Sequence, residues 1–144
     1  MPLMAPIPLR YRPTTLRRSW GTETFIAESG QYLGKILRML AGTSGGLQYH
    51  RRKDETFYLL SGVASVDMDD GLRRHRLRTQ GMIRGQSCRV QPGTVHRVNA
   101  ITDCVFFEVS TPWHDDRVRV ERLYGEPKGT GLPTTRRPRR GRRI

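Results

Sequence analysis

The chain has 144 residues, 35% of them hydrophobic, and a formal net charge of +13 from 26 basic and 13 acidic side chains. That length fits one domain able to bury roughly two-thirds of its unfolded surface. The longest apolar runs, residues 57–60 and 105–107, fall far short of the roughly 20 residues that a membrane helix needs, which excludes a transmembrane segment of that kind.

The charge is uneven along the chain. Six arginines lie between residues 136 and 143, so residues 1–135 hold 20 basic groups against 13 acidic ones. At the start, Pro2, Pro6, Pro8 and Pro13 fix their own dihedrals and push the preceding residues toward extended backbone. Residues 1–17 therefore read as an extended N-terminal arm suited to lie against a partner subunit. The prolines also break the apolar helix that an export signal requires. Cys88 and Cys104 have neither CxxC spacing nor the density of a disulfide scaffold, so free thiols in the cytoplasm are expected.

From residue 23 to residue 120 the pattern is short β-rich runs without 3.6-residue periodicity. Strands are expected at 22–27, 32–40, 47–50, 55–60, 63–68, 73–78, 87–90, 96–100, 105–110 and 117–121. Turn signals separate them at Gly30, Gly45-Gly46, Gly62, Gly71, Gly81 and Gly93. Turns at intervals of about eight to twelve residues imply an antiparallel sandwich or barrel. Beyond Gly125 the sequence has no apolar face to bury and a run of like charge, so residues 126–144 are expected to be a disordered, Arg-rich tail.

One constellation carries chemistry. On a strand, residues i and i+2 share a face, so Gln48 and His50 would point together. The short link Arg51-Arg52-Lys53-Asp54 would return the chain to place Glu55 beside them. A second segment, Gln91-Pro92-Gly93-Thr94-Val95-His96-Arg97, turns at Pro-Gly and starts a strand with His96. Two imidazoles, one carboxylate and one amide at this spacing suit a divalent metal: Zn, Mn, Fe, Co or Ni, among which ligand type alone does not choose. Gln48 could instead hydrogen-bond a water outside the coordination sphere. His75, among arginines, and His114, in an acidic loop, read as surface residues.

With Gly42, five residues, Gln48, Tyr49, His50, four residues, Glu55, six residues and Gly62, the chain resembles the cupin superfamily in every spacing of its first motif, with Gln48 in place of the first histidine. Gly85, Gly93 and His96 resemble the second motif, where Gln91 replaces a proline and Asn99 comes one place early. Over about residues 18–125, the stretches Arg18-Ser19-Trp20-Gly21, Leu47-Gln48-Tyr49-His50, Gly93-Thr94-Val95-His96-Arg97 and Asp115-Asp116-Arg117-Val118 look like the cupin domain of type II mannose-6-phosphate isomerases and their stand-alone relatives. Trp113-His114 and Arg122 depart from that pattern.

The resemblance implies an all-β, single cupin (double-stranded β-helix, or jelly-roll) barrel, a divalent metal on Gln48, His50, Glu55 and His96, and a homodimer. The implied reaction is aldose-ketose isomerisation of a sugar phosphate, with Lys35 and Arg97 as the basic residues that would hold the phosphate. Arg97 has an alternative, because the residue after His96 alternates to the opposite barrel face. No carboxylate outside the metal set stands out as a general base, since the others fall in turns or on expected surface strands. A non-catalytic cupin binding a small molecule such as a sugar is the main alternative, and an Fe(II) oxygenase built on two histidines and a carboxylate is a third reading. The arginine tail alone suggests no sequence-specific nucleic-acid binding: it lacks interleaved aromatics, and the chain shows no recognition helix.

Overall fold

The computed structural model describes residues 10–126 apart from Arg73 and Asp115. Eleven strands and one short helix follow in order: β1 (Thr14–Arg18), β2 (Gly21–Glu28), β3 (Leu33–Met39), β4 (Gln48–His50), β5 (Glu55–Ser61), β6 (Val63–Asp69), β7 (Leu77–Ile83), β8 (Ser87–Val90), β9 (His96–Ala100), β10 (Cys104–Ser110), β11 (Arg117–Arg119) and a 3-10 turn at Glu121–Tyr124. They form a six-stranded sheet, order β1-β2-β3-β10-β5-β8, and a five-stranded sheet, order β11-β4-β9-β6-β7. All recorded pairings between strands are antiparallel. The fold is the double-stranded β-helix expected from the sequence.

Three expectations shift. Residues 14–17 of the expected arm belong to β1, which pairs with β2 from Thr14 opposite Phe25 to Arg18 opposite Gly21. Thr15 and Thr24 add a cross-strand hydroxyl pair at 2.9 Å, the kind of contact that holds an edge strand in register. The strand expected at 73–78 begins only at Leu77, because β6 ends at Asp69 and Asp69 pairs with Leu77, leaving a long link around the turn expected at Gly71, where the Asp69 and Asp70 carboxylates accept from the Gly71 and Leu72 amides. The turn expected at Gly81 is absent, since Gly81 lies inside β7 opposite Ser65. Residues 10–13 of the arm precede β1 outside any strand, and residues 1–9 and the tail from residue 127 lie outside the described residues. Cys88 and Cys104 are unpaired, and no helix among the described residues is long and apolar enough to cross a membrane.

The inward positions of the central strands change character along their length, and register aligns the change from strand to strand. In β3 they run Met39, Leu37, Lys35; in β10, Cys104, Phe106, Glu108; the two are paired Met39 with Cys104, Leu37 with Phe106 and Lys35 with Glu108. β5 runs Leu59, Phe57, Glu55 and β9 runs Ala100, Val98, His96 with the same alternating burial. One end of the barrel is therefore closed by apolar side chains from both sheets, including Leu37, Phe57, Leu59, Val66, Val98 and Phe106. The other end is lined by ionisable ones. A separate small cluster of Leu47, Val118 and Val120 secures β4 against β11.

Candidate metal centre

His50, Glu55 and His96 are all buried, and one ligand atom from each lies within 4.8 Å of the others. Glu55 Oε1 stands 3.3 Å from His50 Nε2 and 2.9 Å from His96 Nε2. Two donors bound at about 2.1 Å to one metal are about 3.0 Å apart at a right angle and about 3.4 Å apart in a tetrahedron, so the spacings to Glu55 Oε1 are compatible with atoms sharing an ion.

The far side of each imidazole sets its tautomer. His96 Nδ1 lies 2.9 Å from the Thr94 carbonyl, which can only accept, so Nδ1 carries the proton and Nε2 presents a lone pair. His50 Nδ1 lies 3.0 Å from Asp116 Oδ1, and an ionised carboxylate imposes the same tautomer. Asp116 is itself fixed by the Arg52 and Lys53 amides, which donate to Oδ2 at 2.6 and 2.7 Å. Two imidazole lone pairs then face one carboxylate oxygen, an arrangement of three acceptors that a cation would satisfy. His50 Nε2, both Glu55 oxygens and Gln48 Oε1 are buried without an aligned hydrogen bond, although Lys53 Nζ approaches Glu55 Oε2 to 2.6 Å as an ion pair. The donor set fits a divalent metal.

Gln48 pairs with His96 in the sheet, and its unpartnered Oε1 lines the same cavity, as expected for a strand on which it shares a face with His50. That cavity, about 100 Å³, is also lined by Trp20, Lys35, Lys53, Phe57, Glu108, His114 and Arg117.

An alternating row of charge crosses the floor of the six-stranded sheet. Lys53 Nζ is 3.2 Å from Glu108, Lys35 Nζ is 3.5 Å from Glu108 and 2.8 Å from Glu23, and Arg18 is 2.6 Å from Glu23. Burial alone would raise the Glu55 pKa, but the Lys53 ammonium beside it acts the other way, and the carboxyl is held well below its ordinary range. Burial likewise opposes the charge on Lys53, and Glu108 and Glu55 together reverse that and raise it.

The four expected metal residues and Lys35 are thus brought to one cavity; Arg97 is not. Its guanidinium donates to Asp67 at 3.0 Å and to Glu126 at 2.7 Å, away from the cavity lining, because one residue past His96 the strand presents its other face. Five residues to which the sequence assigned no site role are present: Lys53, Glu108, His114 and Arg117 line the cavity, and Asp116 stands behind His50. Glu108 lay within reach of the pattern, since it is two residues from inward Phe106 on an alternating strand. Lys53 was hidden in a link that reads as solvated, yet it is 4% exposed. His114, expected at the surface, packs its ring 5.5 Å from Phe25.

No family model and no curated protein matches the sequence. Solved structures do match the fold. CapF, a capsular polysaccharide assembling protein from Staphylococcus aureus, aligns with a TM-score of 0.67 at 15% identity over 77% of this chain and 35% of its own. KdgF from Halomonas sp. aligns with 0.55 at 16% over 64% and 80%, respectively. Oxalate decarboxylase from Lactobacillus farciminis, in a formate complex, aligns with 0.61 at 18% over 69% and 30%. The chain spans about a third of the length of CapF and of the decarboxylase. At these identities the likeness establishes the cupin fold.

Proposed function

We propose that the chain is a divalent-metal cupin acting on a sugar phosphate by aldose-ketose isomerisation, with Gln48, His50, Glu55 and His96 as the metal's ligands. The observation that carries the metal is the buried convergence of His50 Nε2 and His96 Nε2 on Glu55 Oε1. The metal would supply Lewis acidity at the O1 and O2 oxygens of the sugar. Glu108, absent from the sequence reading as a base, is the carboxylate in the cavity outside the ligand set. It would take the proton from one carbon of the C1–C2 pair and return it to the other. Lys35, whose Nζ approaches the same Glu108 Oε2 as that of Lys53, would hold it in place and offer its charge to the substrate.

The same geometry favours a second reading. Glu108 is already ion-paired to two ammonium groups at 3.2 and 3.5 Å, and with its carboxylate so engaged the site would bind an oxygen-rich molecule without turning it over. Incubation of the metal-loaded protein with mannose 6-phosphate in D2O separates the two. Deuterium at C2, abolished by Glu108→Gln, supports isomerisation. Ligand-dependent thermal stabilisation without deuterium incorporation supports binding alone.

We also propose that a second copy of the chain covers the outer face of the six-stranded sheet. Tyr58, Leu60 and Val109 there are 38%, 44% and 59% exposed on the neighbouring strands β5 and β10.

A further inference from the structure

The metal cavity has a cationic wall that neither the ligand set nor the proton-transfer residues require. β11 runs beside β4 with Arg117 opposite His50 and Arg119 opposite Gln48. Directly opposed residues on antiparallel strands have Cβ atoms about 5 Å apart, so a guanidinium-bearing residue flanks each of two proposed ligands. Arg119 is tied to Glu121, its Nε 2.7 Å from Oε1, and Arg18 is tied to Glu23. Arg117 is the arginine that lines the cavity, and it is half-buried.

Two observations point from Arg117 to an anion. Among the cavity-lining groups, Lys35, Lys53 and Arg117 stand against Glu55 and Glu108, with the Asp116 carboxylate behind His50, so a divalent ion would leave the site with a net positive charge. Behind it, Glu23 offsets Lys35, but Arg18 in turn offsets Glu23. Arg117 pairs directly with His50 across the sheet, so an oxyanion on its guanidinium would lie beside a molecule held at the metal.

We propose that Arg117 binds an oxyanion, phosphate or carboxylate, of the molecule held at the metal, and that it sets specificity for an anion carried close to the metal-binding oxygens. The proposal rests on the metal reading above and names the anchor of its ligand. Arginine suits the task because its planar fork pairs with two oxygens of one oxyanion. Arg117 thereby takes the anion-holding role that the sequence suggested for Arg97.

The test uses the full chain loaded with Co(II), whose visible spectrum reports ligands at the metal, titrated with inorganic phosphate, glycolate and, as the neutral counterpart of glycolate, ethylene glycol. Wild-type protein should bind phosphate or glycolate at least tenfold more tightly than ethylene glycol, and which of the two it prefers tells phosphate from carboxylate. Arg117→Gln should lose that preference with Co(II) stoichiometry unchanged, Arg117→Lys should recover part of it, and Arg97→Gln should keep it. Equal anion affinity in wild type and Arg117→Gln, or loss confined to Arg97→Gln, overturns the proposal. Failure of wild type to take up Co(II) would sink the metal reading; the anion subsite is then read from metal-free protein. Phosphate raising Tm in wild type but not in Arg117→Gln sustains it, and no rise in wild type overturns it.

Discussion

At the scale of single residues, the centre depends on groups one bond removed from the ligands. Asp116 joins three jobs: it fixes the His50 ring, selects its tautomer, and caps the Arg52 and Lys53 amides that bring Glu55 back to the site. Removing such a partner typically costs 10- to 100-fold in metal affinity. Asp116→Asn should show a loss in that range by chelator competition while His96→Ala, measured on protein purified without nickel affinity resin, should lose the metal outright. Unchanged affinity in Asp116→Asn would reduce Asp116 to a loop cap. Sequence alone made the ligands visible because cupin-like spacing is local. It did not show Lys53 as an inner residue, because its burial depends on β10 bringing Glu108 across from it.

The elements place these residues by register. Because inward positions recur every second residue, a one-residue slip in β10 would exchange Phe106 and Glu108 for Val105 and Phe107 on the inner face. The turn joining β5 to β6 helps to pin that register. Gly62 has φ 94°, and a Cβ there would lie 2.2 Å from the Asp103 carbonyl oxygen. Gly62→Ala should therefore destabilise the fold by about 1–3 kcal/mol, read as a fall in urea midpoint at unchanged slope; a neutral result would mean that the β10 approach is loose. The expected strands largely coincide with the observed ones because alternation and turn residues are local signals. β1 was read as part of an arm because its five residues, Thr14–Arg18, bury no complete apolar side, and only pairing with β2 makes them a strand.

For the whole molecule, a carboxylate network on the five-stranded sheet ties three strands together. Asp67 on β6 accepts from Thr79 on β7 at 2.6 Å, and from Arg97 and Asn99 on β9 at 3.0 and 3.1 Å. Burial alone would raise its pKa, but the hydrogen bonds and the Arg97 charge lower it. A folded-state pKa below the unfolded one means that this stabilisation is complete above the unfolded value, about 3.9, and is lost as pH falls through the folded value. Asp67→Asn should consequently flatten the acid limb of Tm against pH below about pH 4; an acid limb identical to wild type would remove Asp67 from the account. The proposed dimer is tested by light scattering of wild type and Val109→Glu: a wild-type dimer that becomes monomeric in the variant supports the sheet-face contact, and a wild-type monomer rules it out.

The sequence by itself determined the β architecture, the positions of most turns and the candidate metal-binding residues, since side-chain alternation, glycine and proline preferences and motif spacing act within a few residues. Only the tertiary structure decided what surrounds the ligands. Glu108 and Lys53 became a buried pair, Arg97 was turned outward to Asp67 and Glu126, and Arg117 was brought beside His50 from 67 positions later in the chain. Those placements depend on which strands become neighbours. That choice is made by the burial of the apolar end of the barrel, which aligns the strands in register and leaves their ionisable residues together at the other end.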